Sequence, residues 1–166
     1  MASSASWWGS KARQFRAHLR ARVRPGERAE LATWLTPPQL ALFDGMHVAD
    51  RRHGLDVAAA LRGDGVRDPD VLLAGLLHDA GKGRTGLWPR VAWSLGEAFG
   101  PWVWRGARSL PGGREAIGRL AQHAERSAQL AAGAGCSSRS VALIRNQAAP
   151  TDPEYGELLR LADDAN

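Results

Sequence analysis

The chain of 166 residues is poor in several residue types that would otherwise define it. It has one cysteine, one tyrosine and two methionines, and valine and isoleucine are sparse. The lone Cys136 has no partner for an internal disulfide and no second thiolate for a metal site, which excludes a disulfide scaffold and a cysteine-rich zinc module; it reads as a small packing residue or a surface thiol. Few β-branched residues beside abundant alanine, leucine and arginine argue against sheet and for an all-α domain. No apolar run exceeds seven residues, well short of the roughly 20 that a spanning helix needs. Met1 to Ser6 lacks the charged and apolar regions of a signal peptide, so a soluble, cytoplasmic protein is expected. The length fits one compact domain with a substantial core and no second domain. Lysine is nearly absent, so the net charge of +5 is carried by arginine. That balance favours acidic partners or substrates, phosphates among them, without identifying one.

Much of the charge is local. Lys11, Arg13, Arg16, Arg20, Arg22 and Arg24 decorate a stretch in which Phe15, Leu19 and Val23 recur every four residues, which predicts a basic amphipathic helix ending at Pro25-Gly26. A solvated face on a docked helix is the default reading of such a run, and His18 shares it. The alternative is an anion-binding arm for nucleic acid or an acidic membrane surface. Before it, Ser3 to Ser10 with Trp7-Trp8 reads as a poorly ordered end. Glu27 to Leu35 and, after Thr36-Pro37-Pro38, Gln39 to Phe43 read as short helices, with a break near Gly45.

The most apolar stretch is Val71 to Leu77, followed by His78-Asp79-Ala80-Gly81-Lys82. Asp68 and Pro69 supply a helix start and Gly81 with Gly83 a stop, which places His78 and Asp79 in the last turn of a buried helix. An ionised carboxylate there is costly unless paired or bound to metal, and imidazole beside carboxylate suits a divalent ion. Upstream, Asp50 to Leu61 reads as a helix that carries His53 on the same face as Val57 and Ala60-Leu61. Downstream, Arg114 to Ala132 is helical, in one piece or two, with Leu120, His123, Ser127 and Leu130 on one stripe. Between them lies Leu87 to Phe99, with Trp88, Val91-Ala92, Leu95 and Phe99 on one side, then Pro101-Trp102-Val103-Trp104. Ordinary helix packing, a substrate wall, a dimer face and a membrane-interface helix all fit that segment. Ser138 to Ala149 forms a further helix, and the last, after Asp152-Pro153, brings Asp163 inward four residues beyond Leu159. His47 reads as structural.

His53 within Arg52-His53-Gly54-Leu55-Asp56, then His78-Asp79 within Leu76-Leu77-His78-Asp79-Ala80-Gly81-Lys82-Gly83, then Asp163 within Leu161-Ala162-Asp163, taken in order on helices, resemble the HD-domain superfamily of metal-dependent phosphohydrolases. The resemblance covers residues 45–166, leaving 1–44 as an N-terminal extension. It implies a single-domain antiparallel helical bundle in which His53, His78, Asp79 and Asp163 bind one divalent cation. Two imidazoles and two carboxylates suit manganese, iron, nickel, cobalt or zinc better than calcium, with magnesium admitted. Lys82 then offers a fixed positive charge to a phosphate, as Arg51 or Arg52 would beside His53. His123, in Gln122-His123-Ala124-Glu125, resembles the first extra histidine of members that bind two or more metals. Where a further histidine commonly follows, this chain has Asn146-Gln147. Neutral amides are poor ligands for a transition metal, which argues for a mononuclear site, with His123 as a phosphate contact, an acid for the leaving group or a support for a ligand.

The expected function is therefore metal-dependent hydrolysis of a phosphorylated small molecule or nucleotide, with Asp79, Lys82 and His123 assisting. A non-catalytic nucleotide-binding or regulatory module on the same fold is the first alternative. Docking of the basic arm and tryptophan-rich helices on nucleic acid or membrane is the second, and a two-iron oxygenase is more remote. A homo-oligomer is left open.

Overall fold

The computed structural model describes residues 21–166 except residue 84. The basic helix expected over residues 11–24 and the end before it therefore lie largely outside the described residues. What is described of it differs from expectation: residues 21–24 are not helical, and Pro25-Gly26 opens a helix where an ending was expected. Proline has no N–H to lose at the first helical position, and Glu27 accepts the Arg24 N–H at 2.8 Å, so the pair works as a start.

Ten α-helices and no strand occur among the described residues. They are α1 (Pro25–Leu31), α2 (Pro37–Gly45), α3 (Val48–Gly63), α4 (Pro69–Leu77), α5 (Leu87–Phe99), α6 (Pro101–Arg108), α7 (Gly113–Ala121), α8 (His123–Gly133), α9 (Ser138–Arg145) and α10 (Gly156–Ala165), with a 3₁₀ turn at Ala80–Lys82 after α4. The start of α4 follows the residues expected to make it, whereas the last helix begins at Gly156, three residues beyond the Asp152-Pro153 start that was expected. Asp68 caps α4 by accepting the Asp70 N–H at 2.9 Å ahead of Pro69, and Ser137 caps α9 by accepting that of Ser140 at 3.0 Å. His47 caps α3 through Nδ1, which accepts the Ala49 N–H at 3.2 Å.

α4 is the centre of the molecule: all of Val71 to Leu77 is buried, as a helix apolar on every side must be. It packs on α3 along one side and α9 along another, with α10 against both α3 and α4. One apolar cluster joins Leu31, Phe43, Val57, Leu61, Leu76, Ile144 and Leu159, so helices before and after residue 45 share a core. Arg139 on α9 ties the starts of α4 and α10 together, donating to Asp68 at 2.7 Å and Asp152 at 2.9 Å.

Two expectations need correction. α4 ends at Leu77, before the His78-Asp79 pair rather than after it; His78 caps the helix and Asp79 opens the 3₁₀ turn with φ −99° and ψ 3°. The path changes because Gly81 is pressed against α8, where its N–H donates to Ser127 Oγ at 2.8 Å, a position a continuing helix would not reach. The stripe over Arg114 to Ala132 also breaks. The chain is interrupted at Gln122; Leu120 and Ser127 are buried, but Leu130 is exposed, and Ala128 and Ala131 face the core instead.

Candidate metal centre

Close helix packing brings the site together. Residue 54 is glycine because a Cβ there would fall inside contact distance of the Leu76 carbonyl oxygen. That approach of α3 to the end of α4 sets the His53 and His78 rings edge to face, with centroids 5.1 Å apart. α10 then delivers Asp163, whose Oδ1 is 2.7 Å from His53 Nε2 and 3.3 Å from His78 Nε2. Donor atoms of His53, His78 and Asp163 all lie within 4.8 Å of one another.

Asp79 is fully enclosed beside this cluster. Its Oδ1 is 3.6 Å from His78 Nε2 and 3.8 Å from His123 Nε2, while Oδ2 accepts from Lys82 Nζ at 2.6 Å. The six residues expected to build and assist the site, His53, His78, Asp79, Lys82, His123 and Asp163, thus converge, although they come from α3, the end of α4, the 3₁₀ turn, α8 and α10. Gly81 brings α8 in: a Cβ there would lie 2.6 Å from the Ser127 nitrogen and closer still to the His123 carbonyl oxygen.

The electrostatics are those of a charged cluster kept from water. Burial works against the charged form of His78, yet the carboxylates of Asp79 and Asp163 outweigh it and push its pKa up to about 9. Burial also opposes charge on Asp79; Lys82 first, then the surrounding histidines, hold it well below the usual carboxylate range. Asp163 is held low against burial by its hydrogen bond to His53 and by the neighbouring His78 imidazole. Burial and the nearby Lys82 charge lower His123, which outweighs the pull of Asp79. Its Nδ1–H donates to the Leu120 carbonyl at 2.7 Å, leaving Nε2 a lone pair directed at the Gln147 amide 3.3 Å away. Gln147 therefore supports His123, whereas its neighbour Asn146 turns outward and donates to Thr151 Oγ1 at 3.0 Å.

The donor set could hold a metal ion. His78 Nδ1 donates to the Gly75 carbonyl at 2.8 Å, which fixes the tautomer that offers Nε2 as a ligand. That buried Nε2 and the buried Oδ1 of Asp79 both lack a hydrogen-bond partner among the described residues. Orphaned buried polar atoms are costly, and here two lone-pair atoms lie 3.6 Å apart beside His53 and Asp163. His53, His78 and Asp163 could hold a metal ion, and Asp79 stands beside them with Oδ1 3.6 Å from His78 Nε2.

Arg51 and Arg52 do not join the site. Arg52 pairs with Glu27 at 2.7 Å and Asp56 at 2.8 Å, and Arg51 lies 3.9 Å from Asp44. Sequence reasoning also passed over a buried ion pair next to the site. Asp50, one turn before His53, receives both terminal nitrogens of Arg90 at 2.6 and 2.7 Å, and Arg90 Nε donates to the Thr85 carbonyl at 3.1 Å. The only sequence signal was a carboxylate three residues ahead of a core-facing histidine, and nothing local marked an arginine forty residues away as its partner. The clamp fixes α5 to α3, and Asp50 adds to the field that keeps Lys82 charged.

Comparison with protein-family models, with curated proteins and with solved structures finds no match to this chain.

Proposed function

We propose that this chain is a metal-dependent phosphohydrolase acting on a phosphorylated small molecule or nucleotide. The observation that carries the reading is the pair of partnerless buried atoms, His78 Nε2 and Asp79 Oδ1, enclosed by His53, Asp163 and His123. The resemblance of His53, His78-Asp79 and Asp163 to the HD-domain superfamily supports it. A bound divalent ion would supply a water of lowered pKa and a Lewis acid for a phosphoryl oxygen. The protein's own part is positional. Asp163 and Asp79 carry the negative charge that balances a cation, and Lys82 holds Asp79 by Oδ2, which leaves Oδ1 turned to His78. Lys82, whose side chain is partly exposed, would offer its charge to a phosphate that approaches the ion. His123, neutral and supported by Gln147, suits accepting a proton at Nε2 better than donating one.

One observation favours the non-catalytic alternative. Lys82 and the His53–Asp163 contact already balance much of the cluster's charge, as a nucleotide-binding module with a purely structural polar core would require. Metal content per chain separates the readings first, on protein purified without chelator, for the wild type and Asp79→Ala. About one transition metal per wild-type chain and none in the variant, followed by turnover in a screen of phosphate esters, supports the hydrolase. Metal without turnover supports the binding module, and no metal even after reconstitution with manganese or iron sinks the hydrolase reading.

A further inference from the structure

α5 and α6 form a helical hairpin whose inner side is well occupied. Trp93 and Trp104 stack with centroids 4.8 Å apart, Trp104 Nε1 donates to the Trp93 carbonyl at 3.1 Å, and Pro89 and Gly96 are buried. The outer side is apolar as well. Leu87, Trp88, Val91 and Phe99 share one exposed face of α5, continued by Trp102 at the corner and Leu110 beyond α6. Trp102 is 62% exposed and Phe99 52%, values that ordinary core packing does not leave on large side chains. Trp88 lies against Gly113 at the start of α7, so this face continues toward the next helix.

The polar groups beside it are arginines. Arg105 follows Trp102 by one turn on the same face of α6, Arg108 ends that helix and Arg114 lies in the first turn of α7. None of the three forms an ion pair among the described residues, whereas Arg119 is satisfied by Glu115 at 2.8 Å. An anionic lipid surface offers each its counter-charge, and tryptophan beside arginine along an amphipathic helix is the composition that settles at the boundary of headgroup and acyl chain. No helix among the described residues is long and apolar enough to cross a membrane.

We propose that the α5–α6 hairpin docks the protein on anionic membrane surfaces, with Trp102 and the Leu87–Val91 turn entering the interface and Arg105 and Arg108 meeting lipid phosphates. The Asp50–Arg90 clamp holds α5 to α3, so docking fixes how the cluster around Asp79 sits relative to the bilayer. This proposal is independent of whether that cluster turns over a substrate.

The test is flotation of the full chain with vesicles of phosphatidylcholine alone or mixed equally with phosphatidylglycerol, over a range of salt. The wild type is expected to float with the anionic vesicles and progressively less as salt rises. Two variants with unaltered thermal midpoints, Trp102→Ser/Leu110→Ser and Arg105→Gln/Arg108→Gln, are each expected to bind about tenfold more weakly or worse. Quenching of the wild-type tryptophans by brominated phosphatidylglycerol gives a reading that needs no variant. Absence of flotation and quenching, binding that neither pair of substitutions weakens, or self-association lost in Trp102→Ser/Leu110→Ser without any lipid binding would each overturn the proposal.

Discussion

At Asp79 the two carboxylate oxygens have different neighbours: Lys82 takes Oδ2, and Oδ1 faces two imidazoles without a hydrogen bond. Removing the charge leaves the Lys82 ammonium and a charged His78 unbalanced in a closed site. Asp79→Asn in chelator is therefore expected to lose on the order of 3 kcal/mol in urea unfolding, as breakage of a buried pair does. The same cluster sets a pH dependence in the metal-free protein. His78 is raised from its ordinary value to about 9, so its stabilising charge is fully present below about pH 6.5 and is lost as pH rises through about 9. Asp79 and Asp163 are held low, so their contribution is present above the ordinary carboxylate range and disappears as pH falls below it. Urea midpoints measured with chelator are expected to be highest in weakly acid solution and to decline toward pH 9. His78→Gln is expected to flatten the alkaline decline.

The element that matters most for the site is the crossing of α3 with α4, and it depends on a missing side chain. Gly54→Ala would push a methyl group into the Leu76 carbonyl, a backbone atom that has no rotamer to escape with. The helices must part, at a cost of about 1–3 kcal/mol for overpacking. His53 moves with α3, so the loss of metal affinity is expected to exceed what the loss of stability alone would produce. Thermal midpoints with and without metal, compared for wild type and Gly54→Ala, check this. The 3₁₀ turn is the second such element: because α4 stops at Leu77, Asp79 turns toward α8 and His123 rather than continuing along the helix.

For the whole molecule, a site assembled from four helices and a turn makes ligand binding and folding one equilibrium. His53 and Asp163 are separated by 110 positions in the chain, so the unfolded protein has no comparable site. A metal that binds only the folded state is expected to add about 2.7 kcal/mol of stability at one hundred times its Kd, with a chelator reversing the gain. Asp163→Ala is expected to remove most of that increment while leaving the metal-free unfolding midpoint less affected than Asp79→Asn does, since Asp163 is the more exposed of the two. Differential scanning calorimetry over a metal titration reads both effects.

The sequence by itself determined the helical class, the extent of α5, the capped start of α4 at Asp68-Pro69 and the burial of Val71 to Leu77, because periodicity, caps and propensity act within a few residues of chain. It also singled out the histidines and carboxylates that converge, since His53, His123 and Asp163 each lie at helical spacing from residues expected in the core. Only the tertiary structure decided their pairings. That Lys82 is taken by Asp79, that Gln147 supports His123 while Asn146 turns away, that Arg90 clamps Asp50, and that large apolar side chains of the tryptophan-rich hairpin stay exposed all depend on which helices meet. Long-range packing settles those meetings through close approaches such as Gly54 on Leu76 and Gly81 on α8, and such approaches leave no periodic trace in the chain.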